Sequence, residues 1–180
     1  MTRSPSLLLR ALCLTALAAA MAAPLAAFAD DYADVTQLMR SGKPAEAMAR
    51  ADQYLAAKPR DPQMRFLKAV LLSESGKPAE AIAAYTSITQ EYPELPEPYN
   101  NLAVLYAAQS EFDKAREALE TAVRANPSYA TAHENLGDVY ARLAGRSYVR
   151  AVQLAPANQS IPRKISLIRE MFMPAAKPAP

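Results

Sequence analysis

The chain has little of the side-chain chemistry on which enzymes and metal sites most often depend. Its 180 residues include one cysteine (Cys13), one histidine (His133), four glycines and no tryptophan. A single cysteine excludes a disulfide framework within the chain and leaves no cysteine pair to hold a metal ion. The sequence also has no glycine-rich phosphate loop and no serine–histidine–acid motif. It therefore predicts no metal site, no cofactor and no catalytic residue, and we expect that the protein is not an enzyme.

Long hydrophobic runs are also missing, apart from one near the N-terminus. Residues 11–23 are apolar or small except for Thr15, follow a short basic segment, and precede the small residues Ala27 and Ala29. This order is typical of a secretory signal peptide, here covering 1–29 with cleavage near Ala29. A retained membrane anchor is the alternative, but the run is shorter than the roughly 20 apolar residues that a bilayer span needs. We therefore expect an exported protein that is periplasmic, in the bacterial cell envelope, after cleavage.

Neither sign of charge dominates the chain after residue 29, which carries 18 acidic and 18 basic side chains. Such a balance argues against binding to nucleic acid. The charges are unevenly placed, however, because residues 142–180 hold seven bases and a single acid, Glu170. This basic C-terminus could contact the membrane through anionic lipid, the cell wall through glycan, or an acidic partner. The simpler interpretation is a solvated helix face.

An internal repeat of 34 residues organises most of the sequence. The heptapeptide SGKPAEA that begins at Ser41 recurs unchanged from Ser75. Four series of equivalent positions share the same shift, which is the signature of a repeat protein. These series are Ala47, Ala81 and Ala115; Pro59, Pro93 and Pro127; Leu38, Leu72, Tyr106 and Tyr140; and Val35, Ala69, Ala103 and Gly137.

Each repeat has the pattern of two helices joined by a short turn. Apolar residues at helical spacing form the first helix, which stops at Gly42 or Gly76, since glycine accepts the left-handed conformation at a helix C-terminus. Pro44 or Pro78 then opens the second helix, where the missing N–H does no harm. Such a helical hairpin cannot bury its apolar face alone, so we expect neighbouring hairpins to stack.

This pattern resembles the tetratricopeptide repeat (TPR), in which large, small, aromatic and helix-breaking residues follow in a fixed order. The third unit matches it most fully, although Ser110 stands where the turn glycine is usual. Its matching residues are Tyr99, Leu102, Ala103, Tyr106, Ala115, Leu119, Ala122 and Pro127. The resemblance implies an all-α protein, a TPR-type α-α superhelix of helical hairpins with a C-terminal capping helix. The whole chain also resembles small exported bacterial TPR proteins.

The repeats define the expected domain organisation. The fourth unit is shortened by five residues around its inter-helix turn. We therefore favour one continuous helix from about 131 to 154 over a hairpin, because a glycine inside a helix costs only about 1 kcal/mol relative to alanine. The predicted parts are a repeat domain over 30–157, with units at about 30–61, 62–95, 96–129 and 130–157, a capping helix over 158–173, and a disordered proline- and alanine-rich tail over 174–180.

The resemblance also implies where a partner would bind, because the first helix of each TPR hairpin lines the concave side. The positions that carry over are Tyr32, Thr36, Phe66, Val70, Asn100, Val104, Glu134 and Asp138. They change from aromatic and apolar to acidic, so we expect a protein or peptide segment that is apolar at one end and basic at the other. As an alternative, Phe66 and Val70 belong to the core between helices.

The predicted function is a non-catalytic protein–protein interaction scaffold or adaptor of the cell envelope. The alternative is an envelope-associated structural protein that contacts anionic lipid or cell-wall glycan through its basic C-terminal helix. Glu134 and Asp138 have the spacing of a paired-carboxylate site, but a solvated or partner-facing edge is the simpler interpretation. His133 falls where the family has a large packing residue, so we expect it to be packed.

Overall fold

The computed structural model describes the backbone of residues 23–173 and the side chains of residues 31–173. Within this range the chain forms eight α-helices and no strand, which confirms the all-α fold class. Residues 1–22 of the predicted signal peptide and the predicted tail lie outside the described residues. The helices, numbered in chain order, are α1 (Ala23–Arg40), α2 (Pro44–Ala57), α3 (Pro62–Glu74), α4 (Pro78–Glu91), α5 (Pro96–Ala108), α6 (Phe112–Ala125), α7 (Ala130–Leu154) and α8 (Ser160–Met171).

The helix boundaries follow the sequence period of 34 residues. The second helices of three successive hairpins begin at Pro44, Pro78 and Phe112, and the first helices of the second, third and fourth units are spaced in the same way. Both prolines occupy the first helical position, as the sequence predicts. Each second helix ends two residues before the proline of its repeat, because the residue that precedes a proline disfavours helical geometry.

The turn inside each hairpin has the same geometry in three units. Gly42 and Gly76 have φ angles of 68° and 72°, and Ser110 adopts the same left-handed conformation with a φ of 62°. In each turn the amide of the following residue donates to a carbonyl five residues earlier, at 2.9–3.0 Å. The turn glycines of the sequence therefore mark a real conformational requirement, and Ser110 meets that requirement without being glycine.

The described residues fall into two compact units that divide after Ala81. The first unit holds α1, α2 and α3 around a core of buried side chains. Small residues such as Ala47, which is fully buried, allow α1 and α2 to approach closely. The buried members of this core are Val35, Ala47, Ala51, Tyr54, Met64 and Leu71.

The second unit begins at Ile82 and contains most of α4 and all of α5 to α8. Its core lies where α5, α6 and α7 pack against one another. Alanine again occupies the close contacts, because its small side chain lets helix backbones approach. The buried residues of this core are Ala103, Ala115, Leu119, Ala122, Ala132 and Val139.

The fourth unit departs from the hairpin pattern. The single helix α7 runs without interruption from Ala130 to Leu154, which confirms the continuous helix favoured by the sequence. Helix α8 then returns and packs on α7, and its Ile161 side chain is buried. A Cβ atom placed on Gly145 would lie 3.5 Å from the Cγ2 atom of Ile168. Gly145 is therefore a packing position inside a helix and does not form a turn.

Candidate binding surface

In the first unit, the side chain of Tyr32, a predicted binding position, forms hydrogen bonds with other residues of the same unit. Its hydroxyl donates to the Asp61 carboxylate at 2.6 Å and lies 2.9 Å from the Tyr54 hydroxyl. Burial, followed by the hydrogen bonds to Asp61 and Tyr54, raises the pKa of Tyr32, so this hydroxyl remains a donor. The Thr36 hydroxyl, one helical turn on, donates to the Tyr32 backbone carbonyl at 2.7 Å. The polar atoms of both positions are therefore engaged within the first unit.

Phe66 and Val70 lie one turn apart on α3, and both are partly buried. Each side chain therefore contributes some area to packing and leaves some area exposed. Partial burial is compatible with both the binding role and the alternative core role, so each stays a prediction.

In the second unit, Asn100 belongs to a chain of hydrogen-bonded amides. It is only 5% exposed, and its Oδ1 atom accepts from Asn135 Nδ2 at 2.8 Å. The neighbouring Asn101 donates through Nδ2 to the hydroxyl of the buried Tyr85 at 2.9 Å, and its Oδ1 accepts from Asn100 at 3.4 Å. A buried amide needs such partners to offset the loss of water. These side chains tie α4, α5 and α7 together and fix the face that α5 and α7 share.

Beside this network lies an open cavity of about 400 Å³, here called the repeat-face cavity. Val104 of α5 and Asp138 of α7, both predicted site positions, line it together with Asn135. The Val104 side chain is 50% exposed, so its apolar surface is not used up by packing. The structure thus brings two of the predicted positions to one recess that offers apolar, amide and carboxylate groups.

The charge at this cavity differs from the sequence expectation of an acidic end. Arg142 lies one helical turn after Asp138 and lines the same recess. Its guanidinium carbon stands 3.6 Å from the ring centroid of Phe172, which holds the group by cation–π stacking. Among the described residues, neither Asp138 nor Arg142 forms an ion pair. The cavity therefore presents one charge of each sign to a ligand.

The remaining predictions on α7 have different outcomes. Glu134 is exposed. The prediction that His133 is a packing residue is wrong, because its side chain is exposed and its Nε2 atom lies 3.0 Å from the Pro127 carbonyl oxygen of the preceding loop. The repeat pattern marks the position of a large residue, but a nearby carbonyl gives the imidazole a polar partner outside the core.

Sequence reasoning missed Asn135, Arg142 and Phe172 as cavity residues. Arg142 could have been found, since it lies four residues after Asp138 and therefore on the same helix face. Phe172 could not, because it reaches the cavity only through the return of α8. Within 31–173 no group of three or more histidine, cysteine or acidic side chains could hold a metal ion. None of the described helices combines the length and apolarity that crossing a bilayer requires.

Comparison with protein families gives a consistent assignment of the repeats. Two models, both described as tetratricopeptide repeat, match residues 32–96 and 72–143 and together span more than half of the chain. No curated protein matches the sequence.

Several solved structures share the arrangement of helices. MamA is 22% identical with a TM-score of 0.57 over 76% of this chain and 83% of its own. TTC0263, a thermophilic TPR protein of Thermus thermophilus, is 22% identical with a TM-score of 0.59 over 79% of this chain and 81% of its own. The first TPR of Spaghetti (RPAP3), solved bound to the HSP90 peptide SRMEEVD, is 18% identical with a TM-score of 0.59 over 63% of this chain and 90% of its own. At these identities the likeness shows the fold.

Proposed function

Because the chain belongs to the tetratricopeptide repeat family, we propose that it is a non-catalytic interaction scaffold or adaptor that binds a protein or peptide segment on its concave repeat surface. The observation that carries this proposal is the repeat-face cavity. Val104 offers exposed apolar surface there, and Asp138 and Arg142 offer charges without ion-pair partners among the described residues. Two structural neighbours support it by their own ligands: RPAP3 was solved with a bound peptide, and YrrB has an unusual peptide-binding site.

The ligand that fits this cavity is a segment with an apolar side chain and neighbouring charge. An apolar side chain would cover Val104, and a basic group would pair with Asp138. The ordered amides of Asn100 and Asn135 hold the two helices in place, so little ordering is needed when the segment binds. The signal-like N-terminus supports placing this interaction in the bacterial cell envelope.

The test is retention of partners from a cell-envelope extract after crosslinking, analysed by mass spectrometry. The test variant carries Val104→Glu and Asp138→Arg. A matched control makes the same types of change, apolar to acidic and acidic to basic, at exposed sites outside the cavity, Leu154→Glu and Glu117→Arg. Partners that bind the cavity should be lost by the test variant and kept by the control. Equal retention by wild type, test variant and control would show that this surface does not bind the partner.

A second candidate is contact of the C-terminal helix with anionic lipid or cell-wall glycan. The observation that favours it is an exposed apolar pair on α8, Leu167 and Met171, which are 53% and 62% exposed and one helical turn apart. Exposed bases, Arg163 and Lys164, lie on the same helix. Co-sedimentation with anionic vesicles or cell wall should be strong at low salt and weaken as salt rises. An absence of co-sedimentation at low salt would remove this candidate.

A further inference from the structure

A second recess of about 640 Å³, here called the terminal cavity, lies between the start of α6, the second half of α7, and α8. It exists because α7 continues where a hairpin would turn. Three arginines line it, Arg142, Arg146 and Arg169, and none of its described lining residues is acidic. The rest of the lining is mainly apolar and includes Phe112, Val149, Ile165, Ile168 and Phe172.

The three arginines differ in how far their charge is already compensated. Arg146 donates to the Asp113 carboxylate at 3.1 Å and to the Ser110 carbonyl at 3.4 Å, so its guanidinium is largely engaged. Arg142 and Arg169 form no ion pair with any described residue. Two of the three positive charges at this recess therefore lack an acidic partner within the part of the chain that the structure describes.

The geometry of Arg142 suits a carboxylate. Its guanidinium carbon lies 3.6 Å from the centroid of the Phe172 ring, and its N–H groups form no hydrogen bond with any described residue. A guanidinium held in this way can donate two parallel hydrogen bonds to a carboxylate, and less side-chain entropy is lost on binding because the group is already ordered.

We propose that the terminal cavity binds an acidic segment of a partner protein, with an apolar side chain inserted among the aromatic and aliphatic residues and adjacent carboxylates paired with Arg142 and Arg169. The charge complementarity carries this assignment. A flat bilayer meets protruding side chains, whereas these arginines line a recess of the size that takes one or a few side chains. The terminal cavity shares Ser110, Phe112, Arg142 and Phe172 with the repeat-face cavity. Arg169 lines only the terminal cavity and Asp138 only the repeat-face cavity, whose proposed ligand carries basic charge.

The probe is a fluorescein-labelled peptide with a central phenylalanine and two aspartates on each side, capped at both ends. Fluorescence anisotropy with the whole protein should show saturable binding that weakens as salt rises. The same peptide with asparagine for aspartate should bind at least about tenfold more weakly, on the scale of charge-assisted hydrogen bonds. Equal binding of the two peptides, or no saturable binding of the acidic one up to about 1 mM, would overturn the proposal.

Variants locate the binding. Arg142→Gln and Arg169→Gln should each lower the affinity for the acidic peptide by about tenfold. Arg142→Lys keeps the charge but lacks the planar guanidinium, so its affinity should lie between those of wild type and Arg142→Gln. Arg150→Gln is the matched control, since Arg150 is an exposed base on the same helix that bonds to Gln153 outside the cavity. Circular dichroism checks that all variants are folded.

Two further outcomes would also refute the assignment. Peptide binding that is equally weakened by Arg150→Gln would indicate general charge attraction. Vesicles of phosphatidylglycerol and phosphatidylcholine provide the other comparison: if they bind in a manner that depends on Arg142 and Arg169 while the acidic peptide does not bind, the cavity is a lipid site. Failure of the repeat-face interaction is distinguishable from failure of this proposal, because Arg169 lines only the terminal cavity, whereas Val104 and Asp138 line only the repeat-face cavity.

Discussion

Ser110 offers a direct measure of what the repeat turn demands of its residue. It occupies the position of Gly42 and Gly76 and has a φ of 62°, which L-residues adopt at a cost of about 1–2 kcal/mol. Its side chain is exposed and makes no hydrogen bond within the described residues, whereas its backbone carbonyl accepts from Arg146 at 3.4 Å. Ser110→Gly would therefore relieve the strain and remove no side-chain hydrogen bond.

The expected gain is smaller than the strain itself. Glycine has more conformational freedom in the unfolded chain, which lowers the free energy of unfolding by about 0.4–1 kcal/mol. The net stabilisation should be about 0.5–1 kcal/mol. For a chain of this size, that corresponds to a rise of about 1–4 °C in the thermal midpoint. Gly76→Ser, the reverse change in the equivalent turn of the second repeat, should lower the midpoint by a similar amount.

The assay is thermal unfolding followed by circular dichroism in the far ultraviolet. Ser147→Gly provides the matched control, because Ser147 lies in the interior of α7, where glycine costs about 0.5 kcal/mol relative to serine. The same chemical change should thus have opposite signs at the two positions. If Ser110→Gly lowers the midpoint, or moves it in the same direction as Ser147→Gly, the strain argument is wrong.

Two other positions give predictions of defined sign. Gly145→Ala should stabilise α7 by about 1 kcal/mol, because the new Cβ meets Ile168 at an ordinary 3.5 Å; a lower midpoint in the same thermal assay would mean that α8 cannot accept the methyl group. The raised pKa of Tyr32 means that the folded state holds this proton more tightly than the unfolded state, whose tyrosines titrate near pH 10. The contribution of Tyr32 to the free energy of unfolding should therefore be fully present below about pH 10 and be lost above it. Denaturant titrations from about pH 8 to 11 should show a steeper fall in stability for wild type than for Tyr32→Phe. Identical slopes would contradict this contribution of Tyr32.

The repeat period was sufficient to predict the helices because the residues that set their ends act locally. Gly42 and Gly76 end a helix through their own φ angle, and Pro44 and Pro78 open the next through their missing N–H. None of these effects depends on distant parts of the chain. The continuous α7 was also predictable, because the sequence lacks the residues that a turn would need.

The candidate sites were less predictable because they depend on packing partners far apart in the sequence. Asn100 is buried because its amide accepts a hydrogen bond from the amide of Asn135 on α7, and the 34-residue period does not predict this pairing. His133 is exposed although the repeat pattern predicts a packed residue at its position, because the pattern does not show that the Pro127 carbonyl lies beside it. Stacking of Arg142 on Phe172 requires the return of α8, so no local pattern encodes it.

The shortened fourth unit explains why the apolar and basic features of the C-terminus occur together. In a complete hairpin the second helix would cover the face of the first, but α7 has no such helix and α8 takes this role through residues such as Ile161 and Ile168. Covering by a short returning helix is less complete than covering by a full hairpin, and a recess remains. The arginines at its edge keep that apolar recess accessible to water and charged, which a stack end needs in order to stay soluble. The same feature that closes the repeat array thus produces the cavity in which an acidic segment can bind.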